Sequence, residues 1–312
     1  MSDDRKPLHR FWTPRYWPTW LGMAALRLLC LLPHPTALAI GRGLGRVAER
    51  LAGSRRAIVR RNIELCFPEL TPQERDALAS RHFQALGMSL IEMGLGRWAS
   101  DRMHLQIARL EGLEHLQQAL DRGKGVILLS AHFTTLEISG RLLAMNCPPF
   151  DAVYRKNRSE FITELQRTGR ERSADDTIEK RDIKLMVRKL RKGRPVWYAP
   201  DQSYDRKGAA VIPFFGVPAM HTTATSTLAR LGDAVTLPYF PRRLADGSYV
   251  HTILPPLEDF PGDDPVEDTR KYVRVLEDHI RRCPEQYFWI HRKFKNLPDG
   301  YDDYYADLDS LK

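Results

Sequence analysis

From residue 71 onward, short apolar runs alternate with segments of helical period. Thr71-Pro72-Gln73-Glu74 supplies an N-cap, a proline at the first helical position and a capping-box glutamate, which predicts a helix running towards Trp98. Gly125–Ser130 (GVILLS) reads as a fully buried strand, and Thr134–Met145 as a helix. The alternation continues with strands at Phe150–Tyr154, Pro195–Ala199, Ala234–Phe240 and Tyr249–Leu254. Helices are predicted at Glu160–Arg170, Asp182–Arg191, Thr222–Leu231 and Pro265–Arg282. This predicts an α/β fold, a single globular domain with a central, mostly parallel or mixed sheet flanked by helices. The chain shows no internal repeat and no low-complexity stretch.

The first forty residues follow another pattern. Phe11 to Ile40 holds several aromatics, then a Leu-rich run interrupted by Arg27 and broken at Pro33 and Pro35. Trp17 and Trp20 sit where a membrane interface favours indole rings. No convincing cleavage site follows, so the segment is expected to stay on the protein. An arginine at a bilayer centre costs roughly 2.5–3.5 kcal/mol, so Arg27 leaves two forms of attachment open: a transmembrane helix, or a helix lying in the interface. Arg42, Arg46, Arg50, Arg55, Arg56, Arg60 and Arg61 follow, with Glu49 the only acid among them. This bias places the rest of the chain on the cytoplasmic side of the inner membrane, against anionic lipids. The expected division is a membrane anchor over residues 1–45 and a catalytic domain over residues 46–312.

Composition narrows the function. With 43% hydrophobic and 28% charged residues, the 312-residue chain is neither disordered nor polytopic, as no 18 apolar residues run without a charge. The 48 Lys and Arg exceed the 39 Asp and Glu by 9, which suits an anionic partner. The 4 cysteines (Cys30, Cys66, Cys147, Cys283) are far apart and read as reduced thiols. Nucleic acid is the competing partner for such a charge, but no helix-turn-helix or RNA-binding motif is visible and the arginines adjoin an apolar segment. Gly41-Arg42-Gly43-Leu44-Gly45 lacks a preceding strand and is no dinucleotide fingerprint. His279, Cys283 and His291 fit no standard metal spacing.

The chemistry points to Leu128–Gly140 (LLSAHFTTLEISG). His132 falls in the loop at the carboxyl end of the apolar strand, where open α/β sheets place their ligands. Glu137, in the first turn of the next helix, lies where the ring can fold back onto it. A histidine oriented by a carboxylate is a general-base pair, and the residues alone leave that reading level with a locally satisfied buried histidine.

His132-x4-Glu137 after an apolar strand resembles the first motif of the glycerophosphate/lysophospholipid acyltransferase superfamily, and in particular its lipid A branch. The ordered series PRYWPTWLG (Pro14–Gly22), RRNIELCFPEL (Arg60–Leu70), AHFTTLE (Ala131–Glu137), YRKNR (Tyr154–Arg158), VWYAPDQSY (Val196–Tyr204), PFFGVPA (Pro213–Ala219), LPYFPRR (Leu237–Arg243) and PEQYFWIHRKFK (Pro284–Lys295) carries the resemblance over nearly the whole chain. Glu137, where the superfamily usually has Asp, looks like the lauroyl type. The resemblance implies a glycerol-phosphate-acyltransferase-like fold and transfer of a fatty acyl chain from acyl carrier protein to a hydroxyacyl chain of a lipid A precursor.

In that scheme His132 is the base, Glu137 its partner, and neither metal nor cofactor beyond the carrier thioester is needed. The resemblance further implies Arg155 and Asn157 as substrate-binding residues and Asp201 as a contact to the acceptor. Lys207, Arg242, Arg243, Arg292 and Lys293 add positive charge suited to a phosphorylated acceptor and an acidic carrier. A lysophospholipid acyltransferase is the nearer alternative; a basic membrane-peripheral or nucleic-acid-binding protein is the one from another class.

Overall fold

The computed structural model describes residues 7–154, 159–170 and 173–311. The chain opens with helices α1 (Trp17–Leu29), α2 (His34–Leu51), α3 (Gly53–Cys66), α4 (Pro72–Trp98) and α5 (Asp101–Ile107). There follow β1 (Ala108–Glu111), α6 (Leu113–Asp121), β2 (Gly125–Leu129), α7 (Leu136–Asn146), β3 (Asp151–Tyr154), α8 (Glu160–Arg170) and β4 (Asp176–Glu179). Next are α9 (Ile183–Leu190), β5 (Pro195–Tyr198), the pair β6 (Ala209–Phe214) and β7 (Val217–Thr222), then α10 (Ala224–Gly232). Strands β8 (Ala234–Arg243) and β9 (Tyr249–Ile253) and helix α11 (Pro265–Arg282) complete the regular elements. The 7-stranded sheet has the order β1-β9-β8-β2-β5-β3-β4. Its neighbours are parallel except β8 and β9. The fold is therefore a mixed α/β domain with helices flanking a mostly parallel sheet.

Strand β2 lies at the middle of that order, and each of its residues is buried, as its unbroken apolar run requires. It pairs in parallel with β5 on one side and β8 on the other, so the loops after β2 and β5 leave the same edge side by side. The capping box of α4 forms as read: Thr71 Oγ1 accepts from Glu74 N at 3.3 Å, and Glu74 Oε2 accepts from Thr71 N at 2.7 Å.

Two boundaries differ from the sequence reading for tertiary reasons. Helix α7 starts at Leu136 rather than Thr134, because Phe133 forms a bridge with Tyr287 and Thr134 N donates to Gln286 O at 2.8 Å. Strand β8 extends to Arg243, since β9 pairs with it past the end of β2. The short edge strands β1 and β4 and the β6–β7 hairpin escape the sequence reading. That hairpin turns on Phe215 and Gly216, both left-handed at φ 51° and 77°.

The glycines of α2 have a packing role. A Cβ on Gly45 would stand 2.1 Å from the Phe83 carbonyl oxygen, and one on Gly87 2.1 Å from that of Gly41. Helices α2 and α4 thus meet backbone to backbone, in the segment that sequence analysis set aside as no nucleotide motif.

Of the two forms of attachment left open by the sequence, the N-terminal helix lacks the length of a span. Helix α1 has 13 residues and so measures about 20 Å, against a hydrocarbon core of about 30 Å. Among the described residues no helix is long and apolar enough to cross a membrane. Helix α1 is instead two-sided. Trp20 packs on Phe161 and donates from its indole to Phe11 O at 2.8 Å, whereas Trp17, Leu21 and Leu28 point outward, followed by exposed Leu31. Arg27 lies over the Trp98 ring, 5.5 Å from its centroid, rather than in an apolar span.

Candidate active site

His132 is held at the carboxyl edge by bonds on both sides of its loop. Upstream, Ser130 N donates to Tyr198 O at 2.8 Å, and Ser130 O accepts from the Tyr272 hydroxyl at 2.7 Å. Downstream, Phe288 N donates to His132 O at 3.1 Å, next to the Phe133–Tyr287 bridge. The segment Pro284–Lys293 therefore lies along the His132 loop as a short antiparallel strap. It is anchored from behind by Asn62, whose Nδ2 donates to Trp289 O at 2.6 Å and His291 O at 2.7 Å, and whose Oδ1 accepts from the Tyr305 hydroxyl.

The ring of His132 meets a carboxylate, but not the expected one. Its Nδ1 lies 2.6 Å from Oδ1 of Asp201, three residues beyond β5. The parallel pairing of β2 and β5 brings the two loops together. Glu137 has a different counter-ion: its Oε1 accepts from Arg170 Nη2 at 2.7 Å, at the end of α8. The pairing of His132 with Glu137 is thus not the one this structure holds. The loop turns the ring across the sheet edge, and Glu137 turns towards α8. Glu137 and Arg170 border a second cavity with Leu136, Phe150, Ala174 and Trp197.

Asp201 is the buried member of its pair, with its side chain 2% exposed against 31% for His132. Burial alone would raise its pKa, but the His132 ring and the nearby Lys293 ammonium outweigh that and bring it down to about 2. Its other oxygen accepts from the Tyr287 hydroxyl at 3.1 Å. Lys293, itself buried, donates to the Asp201 carbonyl oxygen at 2.6 Å and sits 4.7 Å from the Phe214 ring centroid. Burial pushes its ammonium down to about 8, against the pull of Asp201.

An ionised Asp201 can only accept at Nδ1, so that nitrogen carries the proton and Nε2 keeps its lone pair. His132 borders a cleft together with Gln202, Phe288 and His291. The arrangement can take a proton at Nε2 while Asp201 stabilises the resulting imidazolium.

The remaining candidates distribute as follows. Arg155 and Asn157 lie outside the described residues. Arg243 is a buried structural cation, 2.7 Å from Glu92, and Arg292 lies over Tyr305 at 5.4 Å. Cys147 is partly buried and Cys283 buried; burial pushes each thiol up to about 12, and Cys283 contacts His279 at 3.7 Å. His291 faces Gln202 instead. Asn62, Gln286 and Tyr287, which sequence analysis did not single out, carry the strap. They fall inside two of the quoted stretches, Arg60–Leu70 and Pro284–Lys295, and that is the signal by which they were findable.

Comparison with known proteins places this geometry in a family. Residues 5–296 match the family described as bacterial lipid A biosynthesis acyltransferase. The chain is 40% identical to the lipid A biosynthesis lauroyltransferase of Escherichia coli K12 over 289 residues, which cover 92% of this chain and 94% of that protein. It is 38% identical to the palmitoleoyltransferase of the same organism over 308 residues, 98% of this chain and 100% of the relative. Identity to the E. coli K12 myristoyltransferase is 28% over 294 residues, 92% of this chain and 90% of the relative. A family match over nearly the whole length, around a histidine held at the carboxyl edge of the sheet, settles the class: this chain is an acyltransferase and belongs to the bacterial lipid A biosynthesis acyltransferase family.

Proposed function

We propose that this enzyme transfers a laurate-like fatty acyl chain from acyl carrier protein to the hydroxyl of a hydroxyacyl chain on a (Kdo)2-lipid IVA-type precursor. The observation that carries the mechanism is the His132–Asp201 pair at 2.6 Å on the border of the cleft. His132 Nε2 takes the proton of the acceptor hydroxyl as its oxygen attacks the thioester carbonyl. The carbon–sulfur bond breaks, and the imidazolium returns the proton to the departing thiolate, leaving an ester and a free thiol. A general base supplies about 10²–10⁴-fold.

Transfer is direct, with no acyl-enzyme. The thiols of Cys66 and Cys283 are buried, and burial holds all 4 cysteines above their ordinary value. Asp201, expected at the acceptor, is assigned to orienting the ring. Glu137 acts through Arg170, fixing α7 against α8 beside the second cavity. Arg155 and Asn157 are assigned to substrate from the family resemblance alone. The scheme uses no resident cofactor.

The same reading puts the enzyme on the cytoplasmic face of the inner membrane. The outward face of α1 lies in the interface with anionic lipids, and this N-terminal part serves the catalytic domain as its anchor. The excess of 9 positive charges favours an acidic carrier protein.

The test is reconstitution of the full chain in vesicles with lauroyl-carrier protein and (Kdo)2-lipid IVA, followed by mass spectrometry. One added lauroyl ester on the glycolipid is expected. An ester found instead on an added lysophospholipid would transfer the assignment to the nearer alternative, and a trapped acyl-enzyme would end the direct scheme.

A further inference from the structure

A further cavity lies apart from the one that His132 borders. It is an open space of about 360 Å³ beyond the end of β8, walled by α2, α4, the β8–β9 turn and the strap. Arg42 from α2, Arg242 from β8 and Arg282 from the end of α11 border it. None of these three guanidiniums makes an ion pair or hydrogen bond among the described residues. The fourth arginine of the wall is different: Arg243 is committed to Glu92, which also accepts from the Tyr249 hydroxyl at 2.8 Å. The acid of the wall, Glu285, accepts from the Gln286 amide at 2.9 Å.

We infer that this cavity is a phosphate subsite, and that the group it takes is a phosphate monoester of the glycolipid acceptor; the inference rests on the function proposed above. Three arginines without an ion pair border this space against the single carboxylate of Glu285, a surplus of positive charge that suits an anion of more than unit charge. A phosphate monoester carries about −1.5 to −2 at neutral pH and offers three acceptor oxygens to forked donors. A phosphodiester, as in a glycerophospholipid headgroup or a pantetheine arm, carries a single charge.

Position supports the same occupant. Gln286 lines the cavity, bonds through its amide to both Arg243 N and Arg243 O at 2.8 Å, and accepts through its own carbonyl from Thr134 N. Two residues further on, Phe288 N holds His132 O. Two residues of extended chain reach at most about 7 Å, so an anion seated here lies within one large molecule's reach of the base. Helix α2, which supplies Arg42, carries outward-facing Leu44, Val47 and Leu51 along the same element. An amphiphile with its phosphate on Arg42 can therefore lie with its chains towards an apolar boundary.

The experiment compares the full-length enzyme with Arg42→Ala, Arg242→Ala and the pair, using the phosphorylated acceptor and the same acceptor treated with a phosphatase. Arg122→Ala, exposed at the amino-terminal edge of the sheet, controls for net charge. Each single variant is expected to raise the acceptor KM about tenfold or more, in line with loss of a charged hydrogen bond, with donor KM unchanged. On the dephosphorylated acceptor the same variants should differ from wild type by less than about twofold.

Equal losses on both acceptors overturn the inference. A rise in donor KM instead assigns the arginines to the carrier's phosphodiester. A loss that follows reduced binding to acceptor-free phosphatidylglycerol vesicles assigns them to the bilayer. Inorganic pyrophosphate supplies a reading without turnover: it should stabilise the wild type against heat and leave the double variant unmoved. If wild type makes no acylated glycolipid, the functional proposal fails, and the pyrophosphate result decides the anion site on its own. An unchanged melting curve with pyrophosphate overturns the site whatever the enzyme acylates.

Discussion

At the carboxyl edge of β2 and β5, polar groups are buried and bonded to one another. His132 has Asp201, Asp201 has Tyr287, and Lys293 caps the Asp201 carbonyl. Along α1 and the turn after it the burial is inverted: Trp17 is 57% exposed, Leu21 70%, Leu28 66% and Leu31 68%. The first region supplies its own partners within one chain: His132, Asp201 and Lys293 satisfy one another there. The second leaves an apolar face uncovered, which isolated solvation does not favour. One region is built for internal precision and the other for an external apolar phase, and each predicts what its substitutions will do.

The largest effect belongs to His132. His132→Ala should lower acyl transfer by about 10²–10⁴-fold with folding and membrane binding intact, because only the base is removed. Steady-state transfer and circular dichroism check it, and near-normal turnover by the folded variant would remove the base from the scheme.

Next come the two carboxylates. Asp201→Asn replaces an obligate acceptor by a group that can donate to Nδ1, which puts the proton on Nε2 and disables the base. The loss should approach that of His132→Ala, and the double variant should be scarcely worse than either alone. Glu137→Gln keeps the shape of a side chain whose partner is Arg170 and should cost distinctly less. If Glu137→Gln abolishes transfer while Asp201→Asn retains it, the orienting carboxylate is Glu137 after all. Acid provides a second probe. Asp201 is depressed to about 2, below its ordinary value near 3.9, so its contribution to stability is present above pH 4 and lost as pH falls towards 2. Asp201→Asn should therefore flatten the acid limb of the unfolding curve.

A third effect lies in the scaffold that joins the two regions. Gly45→Ala puts a methyl against the Phe83 carbonyl and forces α2 away from α4, at a cost of about 1–3 kcal/mol. Gly43→Ala meets nothing within 4 Å and should instead gain about 0.5–1 kcal/mol from helix propensity. Thermal unfolding should move in opposite directions for these two substitutions, made two positions apart on one helix.

The same contrast explains what was legible in the sequence. Local signals read well: the Thr71–Glu74 box, the apolar run of β2, and the position of His132 in the loop that follows it. What escaped is long-range or short. His132 and Asp201 are 69 positions apart, and only the register of β2 with β5 joins them; Glu137, five positions away, was the partner that proximity in sequence suggested. β1 (ARLE) and β4 (DTIE) are edge strands of four residues, half of them charged, so neither offers an apolar run long enough to mark a strand. Trp17 and Trp20 read alike as interfacial aromatics, yet Trp17, at the first residue of α1, is exposed while Trp20 packs onto Phe161 from α8, a contact between distant parts of the chain.

The smallest effect tests the outward face of α1 one side chain at a time. Fully burying a leucine is worth about 1.5–3 kcal/mol, and an interfacial seat recovers part of that. Leu28→Ser should therefore weaken binding of the full chain to phosphatidylglycerol vesicles by several-fold, and Leu21→Ser on the same face by a similar factor. Leu231→Ser is the matched control, because Leu231 is 45% exposed on α10, away from α1, and its loss should leave binding unchanged. High salt should weaken wild type and α1 variants by the same ratio, since the arginine contribution is screened and the apolar one is not. Flotation of vesicles at two salt concentrations reads both terms. If Leu28→Ser and Leu231→Ser behave alike, the outward face of α1 is ordinary surface, and membrane attachment has to be sought in the arginines of α2 and α3.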